Sequence, residues 1–138
     1  MFNSNGTIRY DNESGYRLTV EVDKELSNYY YSLIPKYLKA SRPRWAAHVT
    51  VVRPEKEIPI NLQHWRKYEN QVVEFVYDPY ICFGKSYYWL NIWCPKLEDI
   101  REELGLSVYS KWTLPPEGIS KKFHCTIANS KIEDGIKC

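Results

Sequence analysis

Ala47-His48-Val49-Thr50-Val51 reads apolar, His, apolar, Thr, apolar, and Phe123-His124-Cys125-Thr126-Ile127 repeats the pattern with a small residue at its centre. In a β-strand, residues i and i+2 point to the same face, so the His and the Thr of each stretch share a face while the remaining residues point to the core. The chain has three histidines and five threonines in 138 residues, so chance rarely produces two such pairs. We interpret the stretches as matched strands that each present an imidazole and a hydroxyl.

His48 and His124 are the residue type that acid–base chemistry at a phosphodiester requires. An unperturbed imidazole titrates near neutral pH, so one ring can take a proton from the nucleophile while the other gives a proton to the leaving oxygen. Thr50 and Thr126 would hold the non-bridging phosphate oxygens by hydrogen bonds. Either histidine can be the base. A structural role is the alternative for each stretch alone, because half-buried strands are rich in Thr and accept a hydrogen-bonded His.

Length and composition limit the classes of protein to which the chain can belong. With 138 residues, of which 43% are hydrophobic and 26% charged, we expect a single domain over residues 1–138. A net charge of +2 is too small for a protein that coats long nucleic acid, but it allows a small anionic ligand bound by a local cluster of cations. No stretch reaches the apolar length of a membrane-spanning helix, so we expect no contact with a membrane.

The four cysteines have no C-x-x-C spacing. Without that spacing, the cysteines indicate neither a zinc site nor a disulfide framework, and reduced thiols are favoured. The N-terminus also lacks a basic segment followed by an apolar one. These features indicate a cytoplasmic protein with no metal and no cofactor, and they do not identify a protein partner.

Hydrophobic periodicity predicts the order of the secondary-structure elements. Residues 1–15 are polar and rich in turn-forming residues, and a strand follows at 16–22. Helices are predicted from residue 24 and from residue 95, and further strands are predicted at 45–53, 71–77, 80–83, 86–94 and 122–128. We therefore expect an α+β fold: a two-lobed, pseudo-symmetric domain with antiparallel sheets lining a central cleft and helices outside. The two His-Thr pairs would face each other across that cleft.

Other residues are candidates for contacts with substrate. Tyr16 precedes a predicted strand and Trp89 lies within one, and either ring could stack on a nucleobase. The alternative for both rings is that they fill the core. Basic residues flank the two His-x-Thr stretches and could attract phosphates: Arg42, Arg44, Arg53, Lys56, Lys121 and Lys122.

Both His-x-Thr stretches resemble the signature of the 2H phosphoesterase superfamily, in which two such motifs lie on strands of two lobes. The resemblance implies metal-independent cleavage of a phosphodiester next to a ribose, with His48, Thr50, His124 and Thr126 as catalytic residues. The length and the run from Tyr-Tyr-Ser-Leu-Ile-Pro (30–35) to Ala-His-Val-Thr-Val-Val-Arg (47–53) are most similar to the small phage anti-CBASS phosphodiesterases. These enzymes destroy cyclic di- and trinucleotide second messengers of host immunity.

Two alternatives keep the same residues but change the function. One is a 2H phosphodiesterase acting on RNA 2′,3′-cyclic phosphate ends or on 2′–5′ oligoadenylates. The other is a non-catalytic module that sequesters nucleotides. The presence of a histidine in both motifs favours catalysis, because binding alone does not need a matched acid and base.

Overall fold

The computed structural model describes residues 1–110, 123–131 and 136–137, which form eight β-strands and two α-helices. Short 3-10 turns lie at Lys36–Leu38 and Leu62–His64. In chain order, the elements are β1 (Phe2–Asp11), β2 (Arg17–Val22), α1 (Lys24–Ser32), β3 (His48–Val52), β4 (Val72–Tyr77), β5 (Cys82–Gly84), β6 (Tyr87–Trp93), α2 (Pro95–Glu103), β7 (Phe123–Asn129) and β8 (Ile136–Lys137).

Six of these strands close into an antiparallel barrel. The strand order is β4-β1-β2-β3-β7-β6-β5-β8, and β4 also pairs with β6, which completes the ring. β5 and β8 extend the sheet beyond β6. The prediction of a two-lobed, pseudo-symmetric α+β domain with a central cleft is therefore wrong. The prediction fails because β3 pairs directly with β7, so the two halves of the chain share one sheet.

The prediction that residues 1–15 form no regular element is also wrong. β1 is a ten-residue strand with a neighbour on each side, β2 and β4. Its Asn and Ser residues have low intrinsic preference for strands, which explains why the sequence pattern missed it. Pairing on both edges and the burial of Gly6, Ile8 and Tyr10 on one face override that preference.

The remaining element predictions are largely confirmed. The periodicity correctly placed four strands and both helices: β2, β3, β4, β6, α1 and α2. Of the strand predicted at 122–128, the described residues begin at Phe123 and form β7. The carboxylate of Asp23 caps α1 by accepting a hydrogen bond from the Glu25 amide at 2.9 Å, and Pro95 begins α2. No helix in the described ranges is both long and apolar enough to cross a membrane.

The core fills the barrel interior with aliphatic side chains. Leu18 and Val20 of β2, Val49 of β3, Leu90 of β6 and Ile127 of β7 are fully buried. The His and Thr side chains of β3 and β7 point to the other face and are only half-buried, which leaves these positions available for a site: His48, Thr50, His124 and Thr126. The barrel therefore orients the two His-x-Thr stretches by burying the residues that alternate with the His and Thr positions.

The thiols differ from the prediction. Cys94 and Cys125 are free and buried, as expected, but Cys82 is disulfide-bonded. The prediction of reduced thiols is therefore wrong for Cys82.

Gly6 leaves no room for a side chain, and this yields a test of the barrel. A Cβ at this position would lie 2.5 Å from the backbone oxygen of Glu21 on β2. We expect Gly6→Ala to lower the free energy of unfolding by about 1–3 kcal/mol, because the strands must separate to accept the methyl group. Urea denaturation measures this, with Ser4→Ala in the same strand as the control. Unchanged or higher stability of Gly6→Ala would contradict the β1–β2 pairing.

Candidate active site

The pairing of β3 with β7 brings the two His-x-Thr stretches together. Val49 lies opposite Cys125 in an antiparallel register, so His48 is opposite Thr126 and Thr50 is opposite His124. Directly opposed residues have Cβ atoms about 5 Å apart and diagonal ones about 7–8 Å apart. The two imidazoles thus occupy one diagonal of a four-residue cluster, and the two hydroxyls occupy the other.

All four side chains line one cavity of about 650 Å³. Several cationic side chains also line the cavity, although the net charge of the whole chain is only +2. Its other lining residues are Arg9, Arg17, Thr19, Glu21, Trp45, Ala46, Ala47, Arg53, Pro54, Lys56 and Tyr87. A small anion with apolar parts fits such a lining, because concave sites with a few convergent polar groups bind small ligands.

Each of the two strands carries one extra residue directly after the Thr of its His-x-Thr stretch. The register between β2 and β3 passes from Thr19↔Thr50 to Leu18↔Val52, which leaves Val51 without an opposite residue. Ile127 is left over in the same way between β6 and β7. Such bulges bend a strand and change which face its next residues occupy. Both strands consequently have the same order of half-buried and buried positions.

His48 is oriented by its own backbone. The Nδ1 atom of His48 lies 2.7 Å from the carbonyl oxygen of Ala46. Because a carbonyl only accepts, Nδ1 carries the hydrogen and donates it, which leaves Nε2 as the nitrogen for a ligand. This contact fixes the orientation of the ring through Nδ1 alone.

His124 is held in its neutral form. Burial lowers the pKa of His124 to about 3, and the positive charges of Arg53 and His48 act in the same direction. At neutral pH the ring of His124 is therefore unprotonated, and it has a lone pair that can accept a proton.

The two aromatic candidates do not line the cavity. Trp89 is fully buried and donates its Nε1 hydrogen to the side-chain oxygen of Asn91 at 3.0 Å. Tyr16 is half-buried and packs edge-on against Trp65, with ring centroids 5.1 Å apart. Neither ring offers a free face at the cavity for a base to stack on.

Trp45 and Tyr87 line the cavity instead, with exposed fractions of 66% and 41%. The sequence reasoning passed over both. Tyr87 shares the predicted strand of Trp89, and Trp45 starts the strand of the first His-x-Thr stretch, so proximity to the motifs was the signal that could have found them.

Among the flanking basic residues, Arg53 and Lys56 line the cavity. Arg42 instead donates a hydrogen bond to Asn28, and Arg44 lies over the ring of Trp45. Lys121 and Lys122 lie outside the described residues.

In the described ranges, no group of three or more His, Cys, Asp and Glu side chains is arranged to hold a metal ion. Comparison of the chain with family models, with curated proteins and with solved structures found no match. The function must therefore be inferred from the site itself.

The neutral state of His124 predicts how stability depends on pH. In the unfolded chain a histidine binds a proton below about pH 6.5, whereas folded His124 stays neutral until about pH 3. Acidification between these values therefore favours the unfolded state, and stability falls as the pH falls. We expect His124→Gln to lose about 1–2 kcal/mol less than the unsubstituted protein between pH 7 and pH 5.

Urea denaturation at both pH values measures this difference. Gln63→Asn is the control, because Gln63 lies outside the cavity and has no titratable side chain. An equal loss of stability in His124→Gln and in the unsubstituted protein would show that His124 titrates normally.

Proposed function

We propose that the protein is a phosphodiesterase in which His48 and His124 act as an acid–base pair on one phosphate. The observation that carries the proposal is the register of β3 against β7. It puts both imidazoles on one surface at a diagonal spacing of about 7–8 Å, which is suited to a phosphate group held between them. The resemblance to the 2H phosphoesterase superfamily, which rests on the two His-x-Thr stretches, supports the same reaction.

The different environments of the two rings support different roles for them. His124 is neutral at physiological pH and acts as the general base. His48, whose Nδ1 hydrogen is engaged by the Ala46 carbonyl, acts as the general acid through Nε2. A bound phosphate brings negative charge next to His124 and raises its pKa towards the range in which a base is effective.

The reaction follows from these roles. His124 removes the proton from the nucleophile, which is a ribose 2′-OH or a water molecule. The nucleophile's oxygen forms a bond to phosphorus while the bond from phosphorus to the 5′ oxygen breaks. His48 gives its proton to that leaving oxygen. The two proton transfers are served by the two imidazoles, so the proposed reaction needs no metal ion.

Thr50 and Thr126 occupy the other diagonal and stabilise the charge on phosphorus. Each hydroxyl donates a hydrogen bond to a non-bridging oxygen, and these bonds strengthen as negative charge accumulates in the transition state. Both residues are half-buried, so water does not fully screen the interaction.

The cavity favours a small nucleotide as the substrate. Trp45 and Tyr87 provide exposed rings on which bases can stack. The local cations attract phosphates, while the low net charge of the chain gives no advantage on long nucleic acid. We therefore infer cyclic di- or trinucleotides as substrates. RNA 2′,3′-cyclic phosphate ends and 2′–5′ oligoadenylates are the alternative substrates.

The biological setting follows from the same resemblance. A protein that destroys cyclic oligonucleotide messengers would act in the cytoplasm, where such messengers are made. The similarity to phage anti-CBASS enzymes makes evasion of host immunity the proposed role. A cytoplasmic location is proposed on these grounds, and the disulfide at Cys82 is unusual for that compartment.

Turnover of defined nucleotides tests the proposal. Purified protein is incubated in EDTA with cyclic dinucleotides, cyclic trinucleotides, 2′,3′-cyclic nucleotides and 2′–5′ oligoadenylates, and products are followed by mass. We expect cleavage that falls by about 10²–10⁴-fold in both His48→Ala and His124→Ala, since each removes one proton transfer. His64→Ala is the control and should retain full activity. Undiminished turnover in either cavity variant would refute the mechanism, and binding without turnover would identify a sequestering module.

The two hydroxyls allow a test of charge stabilisation that preserves shape. Thr50→Val and Thr126→Val should each lower kcat by about 10–10³-fold, because the isosteric side chain cannot donate to the phosphate oxygen. Thr50→Ser and Thr126→Ser retain a hydroxyl and should keep most of the activity. Steady-state kinetics on the substrate found above measures both pairs. If Val and Ser variants behave alike, the threonines do not contact the transition state.

A further inference from the structure

The bulge in β3 changes the face on which Arg53 lies. In an uninterrupted strand Val52 would share the face of His48 and Thr50, and Arg53 would point to the core. The extra residue Val51 reverses this: Val51 and Val52 are both fully buried, and Arg53 reaches the cavity. The bulge therefore lies at the position in β3 where it turns the Arg53 guanidinium towards the cavity.

A buried carboxylate below Arg53 is already matched by another arginine. Arg101 donates to Glu57 through two nitrogens, at 3.2 and 2.7 Å, and also to the carbonyl of Val51 at 2.5 Å. The side chains of Arg101 and Glu57 are 1% and 9% exposed. Although burial alone would raise the pKa of Glu57, its bonds to Arg101 hold that pKa below the usual value.

Arg53 is the second cation on that single carboxylate. Its Nη1 lies 3.9 Å from the nearer Glu57 oxygen, and its side chain is 13% exposed. Two guanidiniums and one carboxylate leave a net positive charge in a largely buried cluster. Burial and the nearby Arg101 lower the pKa of Arg53 to about 10, while Glu57 opposes the shift. Such excess charge is costly unless an anion approaches it.

The Nη1 atom of Arg53 is a buried donor that makes no hydrogen bond to any described residue. Buried polar atoms are nearly always paired. Because the Arg53 side chain lines a cavity and is 13% exposed, rotation of its guanidinium would bring this unpaired donor to a ligand atom. The cavity that Arg53 lines is the one that holds His48, Thr50, His124 and Thr126.

We propose that Arg53 binds a non-bridging oxygen of the substrate phosphate by turning its unpaired Nη1 into the cavity, with Glu57, itself held by Arg101, keeping the arginine beside the site. The proposal rests on the proposed phosphodiesterase function and adds to it a third donor to the phosphate. A guanidinium matches phosphate because its planar fork presents hydrogens in directions that two oxygens can accept. The bound phosphate in turn neutralises the excess charge of the cluster.

Binding of inorganic phosphate tests this role without requiring turnover. The dissociation constant is measured at pH 7.5 by chemical-shift titration for the unsubstituted protein, Arg53→Met, Arg53→Lys and the control Arg66→Met. Met retains much of the apolar volume of the arginine stem, and Arg66 pairs with Glu69 outside the cavity. We expect at least tenfold weaker binding in Arg53→Met, threefold or greater weakening in Arg53→Lys, and no change in Arg66→Met.

The kinetics of the same variants complete the test. Arg53→Met should lower kcat by about 10²-fold on any nucleotide that the unsubstituted protein cleaves. Phosphate binding and kcat unchanged in Arg53→Met would overturn the proposal. If Arg53→Met does not fold, Arg53→Lys decides: binding equal to that of the unsubstituted protein would overturn it. Phosphate binding that depends on Arg53 in a protein that cleaves none of the nucleotides would support this inference while refuting the phosphodiesterase function.

Discussion

The pairing of β3 with β7 joins two stretches that lie 76 residues apart (124 − 48). With Val49 opposite Cys125, both of these residues are buried and the His and Thr side chains face outwards together. A shift of one residue in this register would turn the histidines into the core and bring valines to the surface. The same hydrophobic burial that stabilises the barrel therefore sets the geometry of the site.

Burial governs the charges of the residues around the site. Burial keeps His124 neutral, the Glu57 carboxylate is matched by Arg101, and Arg53 lies 3.9 Å from the same carboxylate with an Nη1 that makes no hydrogen bond to any described residue. The proposed phosphate would add negative charge beside the neutral His124 ring and the Arg53 guanidinium, which favours the protonated form of the first and balances the charge of the second. Ligand binding should accordingly stabilise the folded state as well as prepare the chemistry.

Local sequence patterns predicted the parts of the fold that depend on local burial. The alternation in residues 17–22 and the spacing of apolar residues after Pro95 indicated β2 and α2, and both exist. Closure of the barrel depends on pairing between β4 and β6 and on β1, and these contacts leave no local periodicity. The expectation of two lobes arose because two similar half-chains were assumed to pack against each other rather than to share one sheet.

In the candidate site, too, the sequence predicted what depends on local pattern and missed what depends on long-range pairing. The two His-x-Thr stretches were visible in the sequence because their polar and buried residues alternate regularly. Arg53 was one of six flanking cations with nothing to separate it from the others, since its position depends on the bulge at Val51. Trp89 was misjudged because β6 is buried on both faces from Tyr88 to Ile92, so alternation along it says nothing about exposure.

The central claim is that one phosphate lies between the two imidazoles. A crystal structure of the protein with a cyclic dinucleotide whose phosphates carry slowly cleaved phosphorothioate linkages tests it directly. We predict a single phosphorus with its leaving 5′ oxygen within about 3 Å of a ring nitrogen of His48, and with the attacking 2′-OH or water within about 3 Å of a ring nitrogen of His124. Imidazoles that contact different phosphates, or a ligand bound elsewhere on the barrel, would contradict it.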